Sequence, residues 1–86
     1  MRISYEPSFL KSVAKLPARQ QNKLAILLTI LQSDPFHPSL HTKRLSQPLL
    51  GILSFRITRD YRVIFRFIDE ETIQLIDARH RKDIYR

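Results

Sequence analysis

Between Ser54 and Phe67 the chain reads SFRITRDYRVIFRF, and few folds can use such a stretch. Its period of two describes a pair of short strands joined at Arg59-Asp60. Phe55 and Ile57 share one face of the first strand, with Ser54, Arg56 and Thr58 opposite. Tyr61, Val63, Phe65 and Phe67 share one face of the second, leaving Arg62, Ile64 and Arg66 on the other. The polar face is thus made of arginines, whose planar fork matches the oxygens of a phosphate. The apolar face needs a cover, and the arginine face is expected to stay open.

The 86 residues make one domain, 1–86, which buries only about 60–65 % of its unfolded surface. A hydrophobic content of 43 % supplies one core and excludes a disordered polycation. The chain has no cysteine and a single glycine, Gly51, so neither a disulfide framework nor a thiolate metal site is available. MRISYEP holds no apolar signal core, and the longest apolar run, Leu24 to Leu28, is too short for a bilayer. A cytoplasmic protein without membrane contact is the expectation. Net charge is +7 and the pI about 10.4. Eight of the ten arginines follow residue 38, on or near the presumed sheet. A polyanionic partner, nucleic acid or an acidic protein, suits that balance.

Taken in order, Ile3 to Tyr5 is a brief strand closed by Glu6-Pro7. Pro7 and Ser8 open a helix, with Ser8 available as a cap and Phe9, Leu10, Val13 and Leu16 as its stripe. Pro17 starts a second helix, in which Leu24, Leu27, Leu28 and Leu31 keep i, i+3, i+4, i+7 spacing and Ile26 and Ile30 widen the face. Asp34-Pro35-Phe36-His37-Pro38 ends it. His37 and His41 read as surface loop residues, since prolines disfavour the helix that would align them on a metal. His41 to Leu45 is a short strand before a turn at Gln47-Pro48, and Gly51 bends the chain into the hairpin. Thr72 to Ala78 is the last strand, followed by the basic cluster Arg79-His80-Arg81-Lys82. The sum is an α+β fold of two layers, with both helices on one face of a small antiparallel sheet of three to five strands with a mixed edge.

No Gly-rich phosphate loop, nucleophile beside a base, or paired acidic site for two metals is present. A metal-free set of cations, a histidine and a phenol remains: Lys43, Arg56, Arg62, Arg66, Arg79, His80, Arg81, Lys82 and Tyr85. Two readings fit it. One is cleavage of RNA by its own 2′-hydroxyl, which needs a base, cations for the phosphorane and an acid for the leaving 5′-oxygen. The other is a surface that grips phosphate and does no chemistry.

The stretch from Gly51 to Phe67, with the pattern S-x-R-x-x-x-D-Y-R-V-I-F, and the terminal H-R-x-D-I-Y from His80 to Tyr85 resemble the RelE/ParE superfamily of small bacterial toxins, as does the element order of the whole chain. The resemblance implies the toxin half of a type II toxin–antitoxin pair, with a cognate acidic antitoxin that folds on binding. Many members cleave mRNA in the ribosomal A site without a cofactor or metal; a second branch inhibits DNA gyrase. By the same resemblance Arg62 corresponds to the arginine that stabilises the scissile phosphate, and Arg56 to a first-strand residue that binds substrate or rRNA; Arg79 or Arg81 supports the acid, and Arg66, Arg79, Arg81 and Lys82 are read as further RNA-binding residues. His80 stands where nuclease members place their acid; an imidazole, with an ordinary pKa near 6.5, gives up a proton near neutrality as a guanidinium does not. Tyr85 matches a tyrosine that orients a base. Where some members carry a glutamate as general base, this chain has Lys43-Arg44, and Lys43 is the residue left for that task.

Overall fold

A computed structural model describes residues 1–46 and 51–84 of the chain. β1 (Arg2–Tyr5) is followed by α1 (Pro7–Ala14), α2 (Ala18–Ser33) and a 3-10 turn at Pro38–Leu40. β2 (Lys43–Arg44), β3 (Leu53–Arg56), β4 (Tyr61–Asp69), β5 (Thr72–His80) and a last turn of helix, α3 (Arg81–Ile84), complete the order. The five strands form one sheet in the order β1-β5-β4-β3-β2. β1 runs parallel to β5, and the other pairings are antiparallel. The expected α+β architecture with a mixed edge is what the chain adopts. The turn expected at Gln47-Pro48 lies outside the described residues.

The helices begin at prolines because a first turn has no use for the missing N–H. Glu6, rather than Ser8, holds the N-cap position of α1, and no side chain caps it. Pro17 occupies the corresponding position of α2, where its carbonyl receives Gln20 N–H and Gln21 N–H at 2.9 and 3.0 Å. α2 stops at Asp34, driven into an extended conformation by Pro35.

The helices cover the sheet with Phe9, Leu16, Leu24, Leu27 and Leu31, which meet Leu53, Phe55, Val63, Phe65, Ile73 and Leu75 in one buried cluster. Each fully buried side chain of this size contributes about 1.5–3 kcal/mol. Two residues assigned to this stripe from the sequence are not in it: Leu10 is 57 % and Ile26 65 % exposed. The sheet is narrow, and a helix can press only one line of side chains against it. Leu10 and Ile26 fall off that line.

The strands differ from expectation at their ends. β3 stops at Arg56, and Ile57 turns into the core. β5 runs on through Arg79 to His80, two residues past Ala78, because Arg62 and Tyr61 remain available for pairing. The arginine face is also less open than predicted. Leu45, Ile64 and Ile84 form a second buried cluster there, with Ile52 and Ile76 packed on it. α3 supplies Ile84, so the C-terminal basic cluster is folded against the sheet.

Candidate phosphate-binding site

The ladders put side chains into rows. Arg56 of β3 is paired with Arg62 of β4, and Arg62 with Arg79 of β5. Side chains directly opposite in antiparallel strands lie about 4.5–5.5 Å apart at Cβ, so the three arginines start as one row on the face away from α1 and α2, and Arg79, at the open edge of β5, also lines the groove beside α1. The next row holds Lys43 opposite Ser54, Ser54 opposite Ile64, and Ile64 opposite Asp77. Lys43 thus lies on the arginine face, diagonal to Arg56.

The partners within this patch are uneven. Arg79 Nε donates to Asp77 Oδ2 at 2.6 Å. Arg62 is only 9 % exposed, and its Nε has no hydrogen-bond partner. Arg56 Nε and Ser54 Oγ are also buried without one. Among the described residues neither Arg56 nor Arg62 has a carboxylate within ion-pairing distance. A buried N–H donor left without a partner costs about 1–3 kcal/mol. Two adjacent guanidinium groups with orphaned Nε–H donors suit an oxyanion with more than one free oxygen.

Arg66 lies on the same face and is differently engaged. Its Nε donates to Gln74 Oε1 at 2.6 Å, and Gln74 Nε2 donates in turn to Glu6 Oε1. Arg81, at the start of α3, has Nε 3.8 Å from Asp60 Oδ1 and donates its backbone N–H to Asp60 O at 2.7 Å. Lys82 is exposed on α3. Tyr85 lies outside the described residues. His37 and His41 are exposed on either side of the 3-10 turn, and His37 Nδ1 accepts from Ser39 N–H at 3.1 Å.

His80 is not beside Arg62. It is paired with Tyr61, one step along the ladder, and successive residues of a strand face opposite ways. Its ring meets Tyr61 edge-on at 5.3 Å, where Tyr61 packs on the helix-covered core. Tyr61 and His80 line a groove of about 480 Å³ between α1 and β5, together with Lys11 and Lys15. His80 Nδ1 accepts the Lys82 N–H at 3.3 Å. A neutral imidazole so placed carries its proton on Nε2.

Arg79 is a candidate from the sequence, but its place directly opposite Arg62 is not readable from it. A bulge in β5 puts it there: Ile64 is opposite Asp77 while Phe65 is opposite Leu75, so Ile76 is an extra residue. The one signal in the sequence is Leu75-Ile76, two apolar residues in succession where alternation demands one.

The sequence profile of the ParE toxins of type II toxin–antitoxin systems matches residues 3–85. The chain belongs to that family. No curated protein matches it. Among solved structures it is similar to the YoeB/ParE toxin from Agrobacterium tumefaciens, at 22 % identity and TM-score 0.78 over 93 % of this chain and 98 % of the other. YafQ from E. coli is 20 % identical with TM-score 0.80 over the full length of both. The RelB–RelE antitoxin–toxin complex from Methanococcus jannaschii includes a chain 18 % identical with TM-score 0.76, covering 95 % of this chain and 94 % of that one. At these identities the likeness is one of fold, and this ParE-family toxin has the RelE/ParE fold.

Proposed function

We propose that this toxin is a ribosome-dependent mRNA endonuclease held in check by an acidic antitoxin. The observation that carries the reading is Arg62: a residue 9 % exposed whose buried Nε has no partner and which has no carboxylate at ion-pairing distance among the described residues, flanked in register by Arg56 and Arg79. Folding tolerates that cost where an anion is to be received. In the reaction, the 2′-oxygen of a ribose attacks the adjacent phosphorus, and its proton passes to a base, for which Lys43 is the candidate on this face. Arg62, Arg56 and Arg79 hold the charge that gathers on the phosphorane oxygens. The 5′-oxygen leaves with the Nε2 proton of a His80 imidazolium, formed when Nδ1 takes up a proton in place of the Lys82 N–H, and the products are a 2′,3′-cyclic phosphate and a 5′-hydroxyl. The Tyr61–His80 and Arg62–Arg79 pairs are consecutive at the end of the β4–β5 ladder, about 3.3 Å apart along the strands. Arg79 and His80 both line the groove beside α1, and RNA lying in that groove meets the two together. Arg66, Arg81 and Lys82 serve the flanking phosphates. The fold likeness to a chain from a RelB–RelE antitoxin–toxin complex and the net charge of +7 support an acidic antitoxin that covers the arginine face.

A second reading, inhibition of DNA gyrase, is favoured by the ParE match and by His80 facing away from Arg62. Primer extension on an mRNA translated in a purified bacterial system separates the two. Breaks at A-site codons that disappear in both Arg62→Ala and His80→Ala are the expected result. Intact mRNA and undisturbed translation, with supercoiling blocked in a gyrase assay, would establish the second reading.

A further inference from the structure

β5 has two halves with different neighbours. From Thr72 to Leu75 its outer edge pairs with β1. Beyond Leu75 no strand pairs on that side among the described residues, and α1 takes its place with two hydroxyl groups. Ser8 Oγ donates to the carbonyl of Ile76 at 2.6 Å. Ser12 Oγ accepts the N–H of Ala78 at 2.9 Å and donates to the carbonyl of Phe9 at 2.9 Å. Ile76 is the bulged residue itself, and Ala78 is the first residue after it to return to the core.

The bulge decides which basic side chain stands next to Arg62. With it, Arg79 is opposite Arg62 and His80 is opposite Tyr61. A ladder continuing the Phe65–Leu75 register without the extra residue would set Arg62 opposite Ala78 and Tyr61 opposite Arg79. Every side chain after Ile76 would then change face, which carries Arg79 to the helix side and His80 to the arginine side. We propose that Ser8 and Ser12 are positioning residues that hold the bulged register and so determine that Arg79, and not His80, completes the guanidinium row. The assignment rests on that row as the anion site of the function proposed above. A serine needed only as a helix cap would face the helix's own amides. Ser8 instead spends its hydroxyl on a strand 68 residues away.

The test is the Ser8→Ala, Ser12→Ala double variant, with Ser8→Thr, Ser12→Thr as a rescue that keeps both hydroxyls. Cross-strand nuclear Overhauser contacts report the register directly, and binding of a short single-stranded RNA reports the row. In the double alanine variant the Arg62–Arg79 contact should give way to Arg62–Ala78, with RNA affinity falling about tenfold, the loss of one charge-assisted contact. The threonine variant should restore both. Should the double variant not fold, Ser8→Ala alone carries the same two readings. An unchanged register with unchanged RNA affinity overturns the proposal. The contacts are read without any cleavage, so RNA that binds but is never cut sinks the nuclease reading and leaves this one standing.

Discussion

Arg62 and Arg66 are two residues of one strand, four positions apart on the same face, and they live in different chemistry. Arg66 is exposed, and its Nε is already bonded to Gln74 in a chain that ends at Glu6. Arg62 is buried, flanked by two more arginines, and its Nε has no hydrogen-bond partner among the described residues. The first is an arginine whose donor is already satisfied. The second is costly to keep and useful only when an anion arrives. An abundance of arginine on a strand therefore says little about a site; an unanswered donor in a low-dielectric setting says much more.

The comparison breaks most sharply under substitution. Arg62→Ala should lower the rate of mRNA cleavage by about 100- to 1,000-fold, the usual cost of one preorganised oxyanion donor, while Arg66→Ala should lower it less than about threefold. Equal losses would mean that the two environments do not matter. His80→Ala should cost about 100-fold or more in single-turnover cleavage while leaving RNA affinity within about threefold. An equal loss of cleavage and of affinity would make His80 a structural residue of the groove. Stability should move the other way from activity at Arg62. Replacing a buried, uncompensated cation by an apolar chain of similar length, Arg62→Met, is expected to leave unfolding free energy equal or raise it by about 1 kcal/mol, as measured by denaturant melts.

Smaller effects sharpen the same contrast. Asp77 holds Arg79 through one short ion pair with Arg79 nearly half exposed, so Asp77→Asn should free that guanidinium and tighten RNA binding by about threefold. The smallest effect belongs to Asp69, far from the row. Its carboxyl is held below the ordinary 3.8, chiefly by the Glu71 N–H and then by the Thr72 hydroxyl. A depressed carboxylate lends stability that is full well above pH 3.8 and fades as pH falls through that value and below. Asp69→Ala should therefore lower the melting temperature slightly at neutral pH, and by less as the pH falls below 3.8.

Much of this was legible in the sequence because alternation is a strong signal. Tyr61, Val63, Phe65 and Phe67 do face the helices, and Arg56, Arg62 and Arg66 do face away. The partly closed arginine face was not legible, because residues distant in sequence, Leu45, Ile52 and Ile84, close around Ile64 there. Nor was the placement of Arg79 and His80, since one inserted residue reverses every later side chain. The Leu75-Ile76 doublet marked the insertion, but its consequence depends on hydroxyls from Ser8 and Ser12, contacts that no local pattern contains. Ser8 read as a helix cap for the same reason. Its local context is that of a cap, and its actual partner is on β5.

The most direct measurement of the central claim follows the arginine side-chain Nε–Hε signals by NMR while a short, cleavage-resistant single-stranded RNA is added. If the row is the anion site, the Arg56 and Arg62 signals shift strongly and together, and Arg66, already bonded to Gln74, barely moves. Equal shifts of all three, or shifts confined to Arg66, would contradict the account.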